Sequence, residues 1–270
     1  MNSQGLLEKQ PQANMVSLAI LSAAAVFLCA VGCEPGQARR QLQKGADQLA
    51  KGDYSLARDH YTQALKLNPR SAAAYLGRGK SHEGLASPAD AVNDYEHALE
   101  LQPDLAEAQE RLIYLLVEME EGRKALNHFA SLPPSALTPS LLLLRGRARM
   151  QLEHASDAIA DFDSVLKLEP QNVSAYYYRG LAQAKLGRLL EAEKDFTAAI
   201  FLDAGQASAY WQRGLVRERR GMKDLAASDR QKAAELDPRL NFAESQMGKK
   251  MIESLTGKGG DDAQLEFFSK

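Results

Sequence analysis

One stretch of sequence decides the fold: residues 176–196, which read YYYRGLAQAKLGRLLEAEKDF. Apolar residues recur at helical spacing on both sides of a short turn at Gly187-Arg188. The stretch therefore predicts two helices joined as a hairpin. Because a single hairpin cannot bury its own apolar face, neighbouring hairpins must stack on it.

The pattern of this stretch occurs six times along the chain. Aligned on one alanine, the copies follow each other at intervals of 34, 34, 33, 34 and 34 residues. These alanines are Ala57, Ala91, Ala125, Ala158, Ala192 and Ala226. Most copies have a glycine twelve residues before the alanine and an aromatic residue four residues after it, and most end in Leu-x-Pro. The period and these positions resemble the tetratricopeptide repeat.

The resemblance implies an all-α fold, a right-handed solenoid of about six helical hairpins over residues 38–240. The hairpins are expected at residues 38–71, 72–105, 106–138, 139–172, 173–206 and 207–240. An apolar stripe follows at helical spacing, at Phe242, Met247, Met251 and Leu255. We expect residues 241–256 to form a capping helix over the last hairpin and residues 257–270 to be a flexible tail.

Small residues predict where the two helices of a hairpin approach closely. A glycine inside a helix costs about 1 kcal/mol relative to alanine, so its recurrence at one repeat position needs a packing reason. We expect Gly180 to face the small Ala192, and the aromatic residue to fill the space toward the next hairpin. The third copy is one residue shorter and ends at Leu132-Pro133-Pro134. This predicts a truncated second helix there.

A charge pair recurs in four copies. An arginine precedes the repeat glycine, and an aspartate stands 16 residues later, on the second helix of the same hairpin. The pairs are Arg78 with Asp94, Arg145 with Asp161, Arg179 with Asp195, and Arg213 with Asp229. A structural ion pair explains them better than a row of arginines gripping an anionic ligand, because the aspartates would neutralise such a row.

The N-terminal residues 1–33 contain an uncharged apolar run, Met15 to Cys33. The sequence Ala30-Val31-Gly32-Cys33 resembles the lipobox of a bacterial lipoprotein, which would make Cys33 the lipidation site and the array periplasm-facing in the cell envelope. An ordinary cleaved signal peptide, a retained single-pass membrane anchor with a cytoplasmic array, and a buried core helix are the alternatives. Residues 34–37 suit a short tether.

The resemblance also implies a partner site. In tetratricopeptide proteins the first helices line a concave groove that holds a peptide or a partner helix. By position, the candidate groove residues are Tyr114, Leu143, Arg147, Tyr177, Lys185, Trp211 and Arg219. Tyr177 and Trp211 are predicted to form an aromatic wall flanked by cations, and the alternative is that both pack in the core. The lysines and asparagines that bind chaperone C-termini in some members are replaced by Leu42, Ala46 and Gly77.

Composition and motifs argue against several other functions. Lys and Arg total 33 against 35 Asp and Glu, so no basic excess predicts nucleic-acid binding. The sequence predicts no catalytic residues, metal site or cofactor. The function indicated is a non-catalytic scaffold or adaptor, membrane-tethered in the bacterial envelope, with its oligomeric state open. The alternative is an accessory subunit or regulator of an envelope enzyme such as a peptidoglycan hydrolase.

Overall fold

The computed structural model describes residues 36–240, which are helical apart from turns and contain no β-strand. Twelve α-helices and one 3-10 helix lie in this range. They are α1 Gly36–Ala50, α2 Tyr54–Leu67, α3 Ala72–Gly84, α4 Pro88–Leu101, α5 Ala106–Glu118, α6 Gly122–Ser131, the 3-10 helix Pro134–Ala136, α7 Pro139–Gln151, α8 Ala155–Leu168, α9 Val173–Lys185, α10 Leu189–Leu202, α11 Ala207–Arg219 and α12 Lys223–Leu236. Consecutive pairs form hairpins 1 to 6, each with a first and a second helix.

Local sequence sets the ends of these helices. The side chains of Ser71 and Asn172 accept hydrogen bonds from the backbone N–H groups of Ala74 and Ala175, in the first turns of α3 and α9. Such caps stabilise a helix by about 1 kcal/mol. In the turn of hairpin 5, Gly187 has a φ of 73°, a conformation that glycine adopts without steric cost. The turns are therefore short, and the two helices of a hairpin run antiparallel.

The described part of the chain divides into two compact units, residues 36–108 and 109–240. In the described part of the first unit, α1 packs on α2, α2 on α3, and α3 on α4. In the second unit the same neighbour packing runs from α6 to α12. First helices also contact each other across hairpins, α1 with α3, α7 with α9, and α9 with α11. Within each unit, these neighbouring first helices thus share a face.

The repeat glycine packs against an aromatic ring. A Cβ placed on Gly180 would lie 2.9 Å from Cε1 of Phe196, and Phe196 is fully buried. The atoms nearest to Gly180 belong to the Phe196 ring, so the expected partner Ala192 is not its nearest neighbour. The ring of Phe196 is long enough to reach back across the hairpin and cover the glycine itself. The glycine makes room for the aromatic residue 16 positions later.

Hairpin 3 is irregular, as its sequence predicts. Its second helix, α6, has 10 residues, whereas α2, α4, α8, α10 and α12 each have 14. The 3-10 helix at Pro134–Ala136 follows it. The shortened second helix is thereby confirmed. The first helix of hairpin 4 is joined to hairpin 3 by a hydrogen bond of 2.7 Å from the Gln151 side chain to the carbonyl of Val117.

The glycine contacts give a stability prediction. A Cβ on Gly146 would lie 2.5 Å from the ring of Phe162, so Gly146→Ala forces the ring to move in a filled core. Overpacking of this kind costs about 1–3 kcal/mol, which exceeds the gain of about 1 kcal/mol in helix propensity. We expect a net loss in the free energy of unfolding, measured by urea denaturation followed by circular dichroism.

Gly214 provides the matched control for this substitution. The atoms nearest to the added Cβ are Cγ of Arg230 at 3.2 Å and the carbonyl oxygen of Ala226 at 3.3 Å, because hairpin 6 lacks the aromatic residue. The arginine side chain can move aside and the carbonyl contact needs only a small shift, so Gly214→Ala is expected to change stability by less than about 1 kcal/mol. Equal effects of the two substitutions would contradict the glycine–ring account.

Several predictions concern residues that the structure does not describe. The predicted leader with Cys33, the capping helix 241–256 and the tail 257–270 lie outside residues 36–240. Of the predicted tether, residues 34–37, the last two belong to α1 and are not a tether, and the first two lie outside the described residues. Within residues 36–240 no helix combines the length and the apolar character that crossing a membrane requires.

Candidate protein-interaction surface

The four predicted arginine–aspartate pairs are present, and they are structural. Each arginine on a first helix contacts the aspartate on the second helix of its own hairpin, with Nη2 to Oδ1 distances of 2.6, 2.6, 2.6 and 2.7 Å along the chain. The aspartate side chains are only 3–7% exposed, so the carboxylates are buried against their arginines. The prediction of structural ion pairs is confirmed.

Arg179 and its equivalents make a second set of contacts that the sequence analysis missed. Arg179 also binds Asp163 of the preceding hairpin, at 2.6 Å, and lies over the ring of Tyr176. The hydrogen bond to Asp195 is the largest cause of a raised pKa for the Arg179 guanidinium. A tyrosine three residues before the arginine could have revealed the cation–π contact. It occurs at Tyr75, Tyr176 and Tyr210, each with its arginine 5.5 Å from the ring centroid.

Tyr177 and Trp211 lie in the core. Tyr177 is 5% exposed and its ring lies 5.9 Å from that of Phe196, while Trp211 is 1% exposed and packs with Leu215 and Leu240. Burial raises the pKa of the Tyr177 hydroxyl. The predicted aromatic wall is therefore wrong for these two residues. The ring of Tyr177 is covered by the adjoining helix. The ring of Trp211 is covered by the chain that follows α12.

The predicted groove cations are in part neutralised by carboxylates. Arg147 binds Glu118 at 2.8 Å, and Lys185 binds Glu153 at 2.7 Å. Arg219 is exposed near the end of α11. The three cations therefore do not act as a uniform positive row.

Leu143 and Arg147 come together around Tyr178, which was not among the predicted groove residues, and Tyr114 lies near enough to Tyr178 to affect its pKa. Arg147 lies over the Tyr178 ring, 5.0 Å from its centroid, and Leu143 packs in the same apolar cluster as Tyr178. Burial raises the pKa of Tyr178, with smaller contributions that also raise it from Glu118 and Tyr114. We call these residues, Tyr114, Glu118, Leu143, Arg147 and Tyr178, the Tyr178 face. They lie on α5, α7 and α9.

Exposure within the Tyr178 face is uneven. Tyr114 is 45% exposed. Tyr178 is half-buried, and its ring is fixed by Phe162 at a centroid distance of 6.1 Å and by Tyr177 at 5.3 Å. Arg147 is fixed by its ion pair with Glu118 and by its cation–π contact with Tyr178. The face therefore offers one open aromatic ring next to a rigid aromatic and guanidinium platform. Among residues 36–240 no three His, Cys, Asp or Glu side chains are grouped for a metal ion.

Comparison with known protein families finds tetratricopeptide repeats in both units of the chain. Residues 143–208 match a family model described as tetratricopeptide repeat, residues 47–85 a TPR repeat, and residues 72–105 a second tetratricopeptide repeat model. The chain therefore contains the repeats that its sequence resembles, and protein–protein interaction is the role that such repeats imply.

The curated relatives are similar over a short segment. Hsp70-Hsp90 organizing protein 1 of Glycine max is 29% identical over 96 residues, 36% of this chain and 17% of that protein. Small glutamine-rich tetratricopeptide repeat-containing protein 2 of Saccharomyces cerevisiae is 30% identical over 86 residues, 32% of this chain and 25% of that protein. The chain thus matches a quarter or less of the length of these relatives.

Solved structures share the fold over most of the chain. A tetratricopeptide repeat protein from Parabacteroides merdae ATCC 43184 has a TM-score of 0.68 at 20% identity, over 86% of this chain and 97% of that one. PilW, a type IV pilus biogenesis factor, has a TM-score of 0.64 at 19% identity, over 81% and 99%. YrrB, a TPR protein with an unusual peptide-binding site, has a TM-score of 0.51 at 23% identity, over 66% and 92%. The predicted all-α tetratricopeptide solenoid is confirmed.

Proposed function

We propose that this chain is a non-catalytic scaffold that binds a protein partner through the Tyr178 face. The carrying observation is the 45% exposure of Tyr114 beside Arg147 and Tyr178. Aromatic residues and arginine contribute most of the binding energy at protein interfaces. A ring already held in place loses little conformational entropy when a partner covers it.

The chemistry of the face indicates the kind of segment it fits. The charge of Arg147 is already balanced by Glu118, and its guanidinium plane is stacked on Tyr178. A bound carboxylate would compete with Glu118, so the face is poorly suited to clamp an acidic tail. It suits an extended or helical segment with an apolar or aromatic residue that packs on Tyr114 and Leu143. This agrees with the absence of the chaperone-tail residues at Leu42, Ala46 and Gly77.

The setting proposed for this scaffold is the bacterial cell envelope. The support is the lipobox-like Ala30-Val31-Gly32-Cys33 after an apolar run, which would lipidate Cys33 and leave the array facing the periplasm. The structural likeness to PilW is compatible with such a setting, although it reflects the fold alone. In this proposal the chain holds its partner close to the membrane surface.

The partner site can be tested by photo-crosslinking in cells. With p-benzoylphenylalanine in place of Tyr114, irradiation is expected to give a discrete covalent adduct with a second protein. The matched control carries the same probe in place of Phe201, which is 87% exposed but lies on a second helix. An adduct that forms at Phe201 and not at Tyr114 would place the partner elsewhere and contradict the proposed face. Adding Arg147→Ala should weaken the Tyr114 adduct without affecting the fold.

A further inference from the structure

Hairpin 1 is strongly polarised in charge along its length. Residues 36–46 and 60–72 contain five cations and no Asp or Glu. The cations are Arg39, Arg40, Lys44, Lys66 and Arg70, and all five are exposed. We call these residues the basic end of hairpin 1. The opposite end, residues 47–59, has three carboxylates, Asp47, Asp53 and Asp59, against the two cations Lys51 and Arg58.

The fold brings the two sequence segments of the basic end together. Helices α1 and α2 run antiparallel through a turn of three residues, so the start of α1 and the end of α2 lie at the same end of the hairpin. Arg39 and Arg40 are in the first turns of α1, Lys66 is in the last turn of α2, and Arg70 is in the connection to α3. Among the described residues, no salt bridge is formed by any of the five cations.

An exposed apolar side chain lies between Lys66 and Arg70 in the sequence of the basic end. Leu67, the last residue of α2, is 43% exposed. The positive charge is confined to hairpin 1, because the corresponding end of hairpin 2 carries the acidic Glu100 and Asp104. The basic end is thus a local feature that includes an exposed leucine.

The basic end is also the place where the apolar N-terminal run joins the array. Cys33, its last residue, is three residues from Gly36, and three extended residues span at most about 10 Å. The electrostatic screening length at physiological salt is about 8 Å. When the apolar run is inserted in a membrane, the cations of the basic end are held close to the membrane surface. One acidic residue, Glu34, lies between the run and these cations.

We infer that the basic end of hairpin 1 binds the headgroups of anionic phospholipids, with Leu67 inserted among them. Each Lys or Arg near an anionic bilayer strengthens association roughly fivefold. The N-terminal segment alone would leave the array free to rotate about its tether, whereas this contact fixes which end of hairpin 1 faces the bilayer. The inference rests on the proposed membrane tether.

The test uses the full chain in vesicles, with a solvent-sensitive fluorescent amino acid in place of Leu67. Vesicles of phosphatidylcholine alone are compared with vesicles in which a third of the lipid is phosphatidylglycerol. We expect a blue shift in the anionic vesicles that is lost in 1 M salt, where the screening length falls to about 3 Å. Excess inorganic phosphate should leave the shift unchanged, which separates a bilayer from a free anion.

Two matched controls use the opposite end of the same hairpin. The same probe at Leu56, which is 47% exposed, should emit alike in both vesicles. Replacing Arg39, Arg40, Lys66 and Arg70 with glutamine should abolish the shift at position 67, whereas Lys51→Gln with Arg58→Gln should preserve it. A chain that floats with both vesicles but shows no difference at position 67 overturns this inference alone. A chain that floats with neither overturns the tether and this inference with it.

Discussion

Trp211→Ala is expected to lower the free energy of unfolding by about 3–5 kcal/mol. Trp211 is 1% exposed and is the largest fully buried side chain in the described part of the chain. Its ring packs with Leu215, Ala233 and Leu240, so truncation leaves a cavity that these residues cannot fill. The loss is a large part of the stability typical of a domain. Because Trp211 is the chain's one tryptophan, unfolding should be followed by circular dichroism.

Phe201→Ala is the control for this substitution. Phe201 is 87% exposed, so its removal opens no cavity and is expected to change stability by less than about 0.5 kcal/mol. If Trp211→Ala were as mild as Phe201→Ala, Trp211 would not be a core residue. That result would support the prediction that Trp211 lies in a partner groove.

Arg179→Met is expected to cost about 3–5 kcal/mol, because it leaves a buried carboxylate without its ion pair. Asp195 is 7% exposed at its side chain, and Arg179 is the arginine that binds it in the described part of the chain. Methionine keeps most of the apolar stem of arginine, so lost packing contributes little. The free energy of unfolding in urea measures the effect.

Arg145→Met is the matched variant one hairpin earlier. There Asp161 keeps a second arginine, because Arg149 Nη1 lies 2.6 Å from its Oδ2. The expected cost is therefore smaller, about 1.5–3 kcal/mol, the value of a hydrogen bond to a charged group. Adding Asp195→Asn to Arg179→Met should recover part of the stability, since the uncompensated charge is removed. Additive losses in that pair would contradict the coupling between Arg179 and Asp195.

The sequence was sufficient for features that recur at a fixed spacing. The separation of 16 residues between arginine and aspartate places one residue on each helix of a hairpin. The antiparallel helices then bring the two side chains together. The shortened α6 follows from Pro133 and Pro134, since proline cannot continue a helix. Such features depend on contacts within one hairpin, which the repeat pattern defines.

The sequence was insufficient where burial depends on contacts between hairpins. Tyr176, Tyr177 and Tyr178 are consecutive on α9 and point about 100° apart around the helix. Their burial depends on where α7, α10 and α11 pass. Tyr177 is enclosed beside Phe196, whereas Tyr178 turns toward Arg147 on the preceding first helix. Alignment of the repeats does not group Tyr178 with Glu118 and Arg147, because the three residues occupy different positions within the repeat.

Trp211 shows the same difficulty at the end of the array. Its ring is covered by Leu240, which follows α12 and is 2% exposed. The repeat pattern does not identify Leu240 as the residue that covers this ring. The predicted aromatic wall was wrong because Tyr177 and Trp211 were assigned to it by repeat position alone. That assignment did not take into account the neighbouring segment that covers each ring.

The bridge from Arg179 to Asp163 means that the copies are not interchangeable units. Loss of hairpin 4 from an ancestral or engineered array would place Ala130 where Asp163 now stands, and Arg179 would lose its partner in the preceding hairpin. Loss of hairpin 5 would instead bring Arg213, which now meets Thr197, against Asp163. The array should therefore tolerate the loss of hairpin 5 better than the loss of hairpin 4.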